Sequence, residues 1–137
     1  ILHLPAGGSA MPACHESVDG KCHFIKMGGQ ETFKLAVTGM TNASKQVLAE
    51  AGIAPEQVSW VIPHQANHRI ISAVAQRLAV PEDRVYVNIF RYGNTSSASI
   101  GICLDELNRA GKLKRGDYVL LTAFGGGLTW GAQLIRW

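Results

Sequence analysis

The chain has 137 residues, 47% of them hydrophobic and 17% charged, the make-up of an ordinary globular protein with a real hydrophobic core. A net charge of +3 without a dense Lys/Arg run excludes a nucleic-acid footprint, and Lys112, Lys114 and Arg115 in "GKLKRGD" read as a solvated loop. Three cysteines without framework spacing exclude a disulfide scaffold and point to a reducing, cytoplasmic setting.

The opening "ILHLPAGG" carries no Met and no secretory leader, and it reads as the middle of a longer protein. Residues 1–29 are loop-rich, with "HFIKM" as their one strand candidate, and read as a linker or the end of a preceding half, whereas residues 30–137 are expected to form the domain. From Glu31 the pattern is helical, with Phe33, Val37, Met40, Ala43, Val47, Leu48 and Ala51 on one face and Gly52 as the stop. Gly39 inside that helix marks a place of close packing. "VSWVI" is a strand, followed by a helix from about Asn67 to Leu78 with Ile70, Ile71, Val74, Ala75 and Leu78 inward.

"VYVNIF" reads as a short strand or extended run. Ser96 or Ser97 is expected to cap a helix running to about Arg109, with Ile100, Leu104 and Leu107 inward. "YVLLTAF" and "LTWGAQLIRW" are the last strands. The span from Tyr118 to Ile135 has no charge, but four glycines divide it, so it reads as a buried hairpin and not a membrane span. Helices alternating with strands predict an α/β fold: a mainly parallel sheet with helices on its faces and a C-terminal antiparallel hairpin.

Functional groups in such sheets gather at the carboxyl ends of strands. His64 follows "VSWVI", Asn94 follows "VYVNIF", and Gly125, Gly126 and Gly127 follow "YVLLTAF". Imidazole and carboxamide both donate hydrogen bonds while uncharged, so together they suit an oxygen that gains negative charge, as in an enolate. Each feature alone has a plainer reading: a core histidine, a turn asparagine, a tight hairpin. Their convergence at strand ends favours chemistry.

Three stretches, "PHQANHRII", "RYGNTSSASIGI" and "LLTAFGGGLTWG", closely resemble the C-terminal half of the 3-oxoacyl-(acyl carrier protein) synthase III family, and "MGGQETFKLAV" resembles its entry into this half. The resemblance implies a thiolase fold and a homodimeric condensing acyltransferase that initiates fatty-acid synthesis. It implies that His64 and Asn94 stabilise the enolate formed from malonyl on acyl carrier protein. Gly126 would offer its N–H to an oxyanion, and Phe124 would keep the site dry. Phe33, Ala66, Asn67 and Ile70 match positions along the pantetheine tunnel, and Lys34, Arg69 and Arg77 match basic positions where the carrier protein docks.

No cofactor is implied; the coenzyme A thioester is substrate. The family's cysteine nucleophile belongs to the N-terminal half, which is then a required partner, and neither Cys103, on the buried side of a helix, nor Cys14 nor Cys22 replaces it. Gln30 and Leu128 depart from the family's usual Asn and Phe. Two other readings stand beside this one. Cys14-His15, Cys22-His23 and the His64/His68 pair offer zinc-ligand types, though not at a common zinc spacing, so no metal is expected. Without a nucleophile, the chain also fits a non-catalytic interaction module. No nucleic acid and no membrane are expected as partners.

Overall fold

A computed structural model describes residues 2–137, and the chain divides into two units, Ile1–Leu35 and Ala36–Trp137. In the first unit, β1 (Leu2–His3) pairs antiparallel with β2 (Lys26–Met27), inside the expected "HFIKM". Between them lies the short helix α1 (His15–Asp19), tied down by the buried Ser17 hydroxyl. That oxygen accepts the Cys14 N–H at 3.0 Å and lies 2.8 Å from His23 Nε2. α2 (Gly29–Ala51) starts in this unit and continues into the second. It stops where Gly52 takes a φ of +65°, a left-handed turn that suits glycine.

The second unit is built on a three-stranded sheet in the order β3 (Val58–Pro63), β4 (Tyr118–Gly125), β5 (Thr129–Arg136). β3 and β4 are parallel, β4 and β5 antiparallel, and the register of the hairpin runs from Tyr118↔Arg136 to Gly125↔Thr129. The crossover between β3 and β4 carries α3 (His68–Leu78), α4 (Ile89–Tyr92) and α5 (Ala98–Arg109). Such a layered α/β arrangement is the class that the alternating pattern predicts.

Ile62 and Val119 pack with Cys103, Leu107 and Leu113 into one fully buried cluster, so α5 covers that face of the sheet. Their strand neighbours Val61 and Leu120 point the other way by the two-residue period of a strand and are equally buried. On that second face Thr122 Oγ1 donates to the Met40 carbonyl of α2 at 3.3 Å. Cutting Leu107 to Ala would leave a void in a dry cluster, a change that costs about 2–5 kcal/mol.

Several expectations need correction. Of the two readings of "VYVNIF", strand or extended run, the strand fails: Val85 makes one isolated parallel bridge with Val61, and by Ile89 the chain has turned into α4. The cause is Gln65, whose side chain takes the backbone bonds a neighbouring strand would have supplied. Its Oε1 accepts the N–H groups of Asn88 and Ile89, and its Nε2 donates to the Tyr86 carbonyl. Asn94 therefore follows a helical turn and not a strand. Among the described residues the parallel part of the sheet is the β3–β4 pair plus that bridge.

Ser97 occupies the N-cap of α5 but makes no capping side-chain bond, because Ser96 at φ +55° and backbone bonds from Ala98 to Thr95 and Ser99 to Ser96 start the helix. On α2 Val37, Met40 and Leu48 are buried as expected, but the buried face takes in other positions beside them. Ala36, Thr41 and Ser44 are buried, whereas Ala43 and Val47 are half-buried and Ala51 is exposed. The Thr41 and Ser44 hydroxyls have no hydrogen-bond partner among the described residues. Ile100 and Leu104 of α5 are half-buried, and the fully buried positions are Cys103 and Leu107. The hairpin is only half buried: β4 is interior, but β5 is an edge strand and its Trp130 is 51% exposed.

Gly39 meets its expectation. A Cβ there would lie 2.6 Å from Cδ2 of Trp130, so only glycine lets the indole lie against α2.

Candidate active site

Pro63 ends β3, and the parallel ladder is extended by one bond from the His64 N–H to the Thr122 carbonyl at 2.8 Å. The His64 backbone is thus fixed at the carboxyl edge of the sheet, between β4 and the start of α5. Its Nδ1 lies 2.6 Å from the hydroxyl of Ser99, a residue 1% exposed in the first turn of α5. That same oxygen accepts the Gln65 N–H at 3.3 Å. Burial holds the His64 pKa below the ordinary histidine value of 6.5, so the ring is neutral at pH 7.

His64 lines a cleft of about 390 Å³. Facing it are Ser96 and Ser97 before α5, Phe124 at the end of β4, and Trp130 across the hairpin. Apolar walls with a few hydroxyls and one neutral imidazole suit a largely apolar ligand that carries a few polar groups.

Asn94 does not line the cleft, but it is bonded directly to a residue that does. Its Oδ1 accepts the Ser96 N–H at 2.9 Å. Because that partner is a donor, the amide orientation is settled, and the NH₂ side has no partner among the described residues. Gly126 is exposed in the hairpin turn, its carbonyl accepting from the Thr129 hydroxyl at 3.3 Å. Gly127 beside it has φ +144°, and a Cβ there would meet Thr129 at 2.9 Å, so this turn requires glycine.

The remaining expected residues lie elsewhere. Ala66 is half-buried in the loop after His64, and Asn67 caps α3, its Oδ1 accepting the Arg69 N–H at 2.9 Å. Ile70 is buried in the core. Arg69 and Arg77 are exposed on α3, where Arg77 reaches Thr38 Oγ1 at 3.3 Å. Phe33, half-buried, and Lys34, exposed, belong to the first unit. Cys103 is buried, and desolvation pushes its thiol up to about 12, far from a usable thiolate.

The sequence model of the family described as 3-Oxoacyl-[acyl-carrier-protein (ACP)] synthase III C terminal matches residues 48–137. The chain belongs to the 3-oxoacyl-(acyl carrier protein) synthase III family. Synthase III relatives are similar along almost its whole length. It is 52% identical, over 99% of its residues, to a beta-ketoacyl-(acyl carrier protein) synthase III of Caldanaerobacter subterraneus subsp. tengcongensis, and covers 41% of that protein. Against the enzyme of the same name from Chlamydia pneumoniae the identity is 50%, with the same two shares. The crystal structure of the synthase III from Aquifex aeolicus VF5 superposes with a TM-score of 0.82 at 57% identity, covering 85% of this chain and 38% of that one. The chain thus spans about two-fifths of the curated relatives it matches, and its thiolase-like α/β fold is that of the synthase III C-terminal part.

Two positions that bond to His64 or shape the chain beside it were not singled out in the sequence. Ser99 stands in "TSSASIG" among three similar small polar residues, and nothing in that string shows which one faces the histidine. Gln65, 0% exposed, lies outside any periodic element, although a glutamine flanked by His64 and the start of a helix is a signal of sorts. Among the described residues no three His, Cys, Asp or Glu side chains are grouped as a metal site.

Proposed function

We propose that this chain supplies the decarboxylating side of a condensing site that joins an acyl-CoA starter to malonyl-(acyl carrier protein) at the start of fatty-acid synthesis. On this reading the malonyl carboxylate leaves as carbon dioxide, and the bonding pair it leaves behind passes onto the thioester oxygen as an enolate. Hydrogen bonds from His64 and Asn94 stabilise that oxygen. The enolate carbon attacks an acyl-cysteine, whose tetrahedral oxyanion receives the Gly126 N–H before the thiolate departs. Phe124 keeps the cleft dry, which favours expelling a charged carboxylate.

The observation that carries the reading is a neutral, partly desolvated His64 on the wall of an apolar cleft shared with Phe124. The open NH₂ of Asn94, fixed through Ser96, supports it. Cys103 fits no nucleophilic role, so the cysteine comes from the N-terminal part of a synthase III, and this chain alone does not condense. The same reading assigns Phe33, Ala66, Asn67 and Ile70 to the pantetheine arm and Lys34, Arg69 and Arg77 to the acidic carrier protein. It places the enzyme in the cytoplasm as a homodimer.

The test is decarboxylation of malonyl-(acyl carrier protein), followed as carbon dioxide release, by the polypeptide as its source makes it. His64→Ala or Asn94→Ala should slow release about 100- to 1000-fold, the usual loss for one such donor. Release at the wild-type rate in both variants would end the proposal.

A further inference from the structure

A buried hydroxyl has one proton to give, and where it goes decides the state of its partner. Ser99 Oγ has two partners among the described residues, His64 Nδ1 at 2.6 Å and the Gln65 N–H at 3.3 Å. The Gln65 N–H can only donate, so it occupies a lone pair of the oxygen. Ser99 is 1% exposed and has no carbonyl partner, which leaves Nδ1 as the one acceptor for its proton. Were Nδ1 protonated instead, the two donors would take both lone pairs of the oxygen and its own O–H would be left without a protein acceptor, a cost of about 1–3 kcal/mol.

We infer that Ser99 is a positioning residue that locks His64 as the Nε2–H tautomer, so that the ring's remaining nitrogen is a hydrogen-bond donor for a ligand oxygen in the cleft. The backbone makes the arrangement stiff. Ser99 is held in the first turn of α5 by its N–H to the Ser96 carbonyl at 3.2 Å. His64 is held by its own N–H to Thr122. These bonds fix the main chain at both ends of the contact. Burial keeps the ring neutral, so the question of which nitrogen carries the single proton is a real one at pH 7. The ligand class that follows is an acceptor oxygen gaining negative charge, and a ligand offering only a donor would find no lone pair on Nε2. This deepens the proposed function and rests on it for its meaning, but not for its test.

The test is the long-range proton–nitrogen spectrum of the protein labelled with ¹⁵N-histidine, with His64→Gln to assign the His64 signals. In the wild type, Nε2 should carry the proton and Nδ1 should show the shift of an unprotonated acceptor. Ser99→Ala should move His64 to a mixture of tautomers, and Ser99→Thr, which keeps the hydroxyl, should restore the single one. An Nδ1–H tautomer in the wild type, or an unchanged tautomer in Ser99→Ala, overturns the inference. Should Ser99→Ala not fold, the wild-type spectrum still decides, because its Nδ1 signal alone supports or refutes the lock. Decarboxylation is read in parallel, where Ser99→Ala should lower kcat roughly tenfold with KM little changed. If the tautomer moves and the rate does not, the lock stands and the proposed role of His64 is what fails.

Discussion

Two polar clusters flank Gln65, and they are built to opposite rules. Around Glu106 every acceptor is used: Asn88 Nδ2 at 2.7 Å, Tyr86 Oη at 3.2 Å, Tyr92 Oη at 2.7 Å and Arg91 Nη1 at 3.1 Å. Around His64 one ring nitrogen is tied to Ser99, and the side chain has no second hydrogen bond among the described residues. The first cluster closes on itself and fixes the path of residues 86–92, which leads to Asn94. The second leaves the other ring nitrogen without a partner among the described residues, in a residue that lines the cleft. A saturated network holds a shape, whereas an incomplete one holds a place for something else.

Gln65 belongs to both, and removing it should break the comparison most severely. Gln65→Ala would orphan the Asn88 and Ile89 amides and the Pro63 and Tyr86 carbonyls in a buried site, at about 3–5 kcal/mol. Thermal or denaturant unfolding measures that loss, and a change under about 1 kcal/mol would mean the turn holds without it.

Glu106→Gln should cost less, about 1–2 kcal/mol, since the amide keeps one acceptor and loses the charge. Acid titration separates the two clusters. Hydrogen bonds from Asn88 first, then Tyr92, hold the Glu106 carboxyl below its usual 4.5. Its contribution is therefore complete above 4.5 and disappears as pH falls through the lower, folded value. His64 is also depressed, through burial, from 6.5. The unfolded chain takes up that proton first, so stability begins to fall below 6.5 and stops falling once the folded ring protonates. Wild-type stability should then decline in two stages, with Glu106→Gln removing the lower and His64→Gln the upper. A single stage shared by all three proteins would contradict this.

Arg91 should matter least. Its side chain is 74% exposed in the ion pair with Glu106, and Arg91→Ala should change stability by less than about 0.5 kcal/mol, an effect that salt erodes further. A larger, salt-insensitive loss would show that the guanidinium, and not the neutral donors, organises the cluster.

Much of this framework was legible beforehand because it obeys local rules. The apolar period of residues 68–78 appears as α3, Gly52 ends α2, and Gly39 marks a contact that excludes a side chain. The carboxyl ends of β3 and β4 do lie side by side and deliver His64 and Phe124 to one cleft. What stayed hidden depends on pairing across long separations. "VYVNIF" has strand composition, yet a glutamine twenty residues earlier spends its backbone bonds. The buried face of α2 keeps Val37, Met40 and Leu48 but also takes in Thr41 and Ser44, which hydrophobicity does not anticipate. An apolar β5 reads as interior, and only the sheet order reveals it as an edge.

That edge has a consequence for solvent exchange. Along β5 the amides that point to β4 are locked in the hairpin ladder, while their alternate neighbours face outward without a strand beside them among the described residues. In heavy water the strand should behave as two interleaved sets, one exchanging with the core and one with the surface. Any chain that lays a strand along Thr129–Arg136 would merge the two, so the isotope pattern of a single strand reports whether that border of the sheet is open or taken.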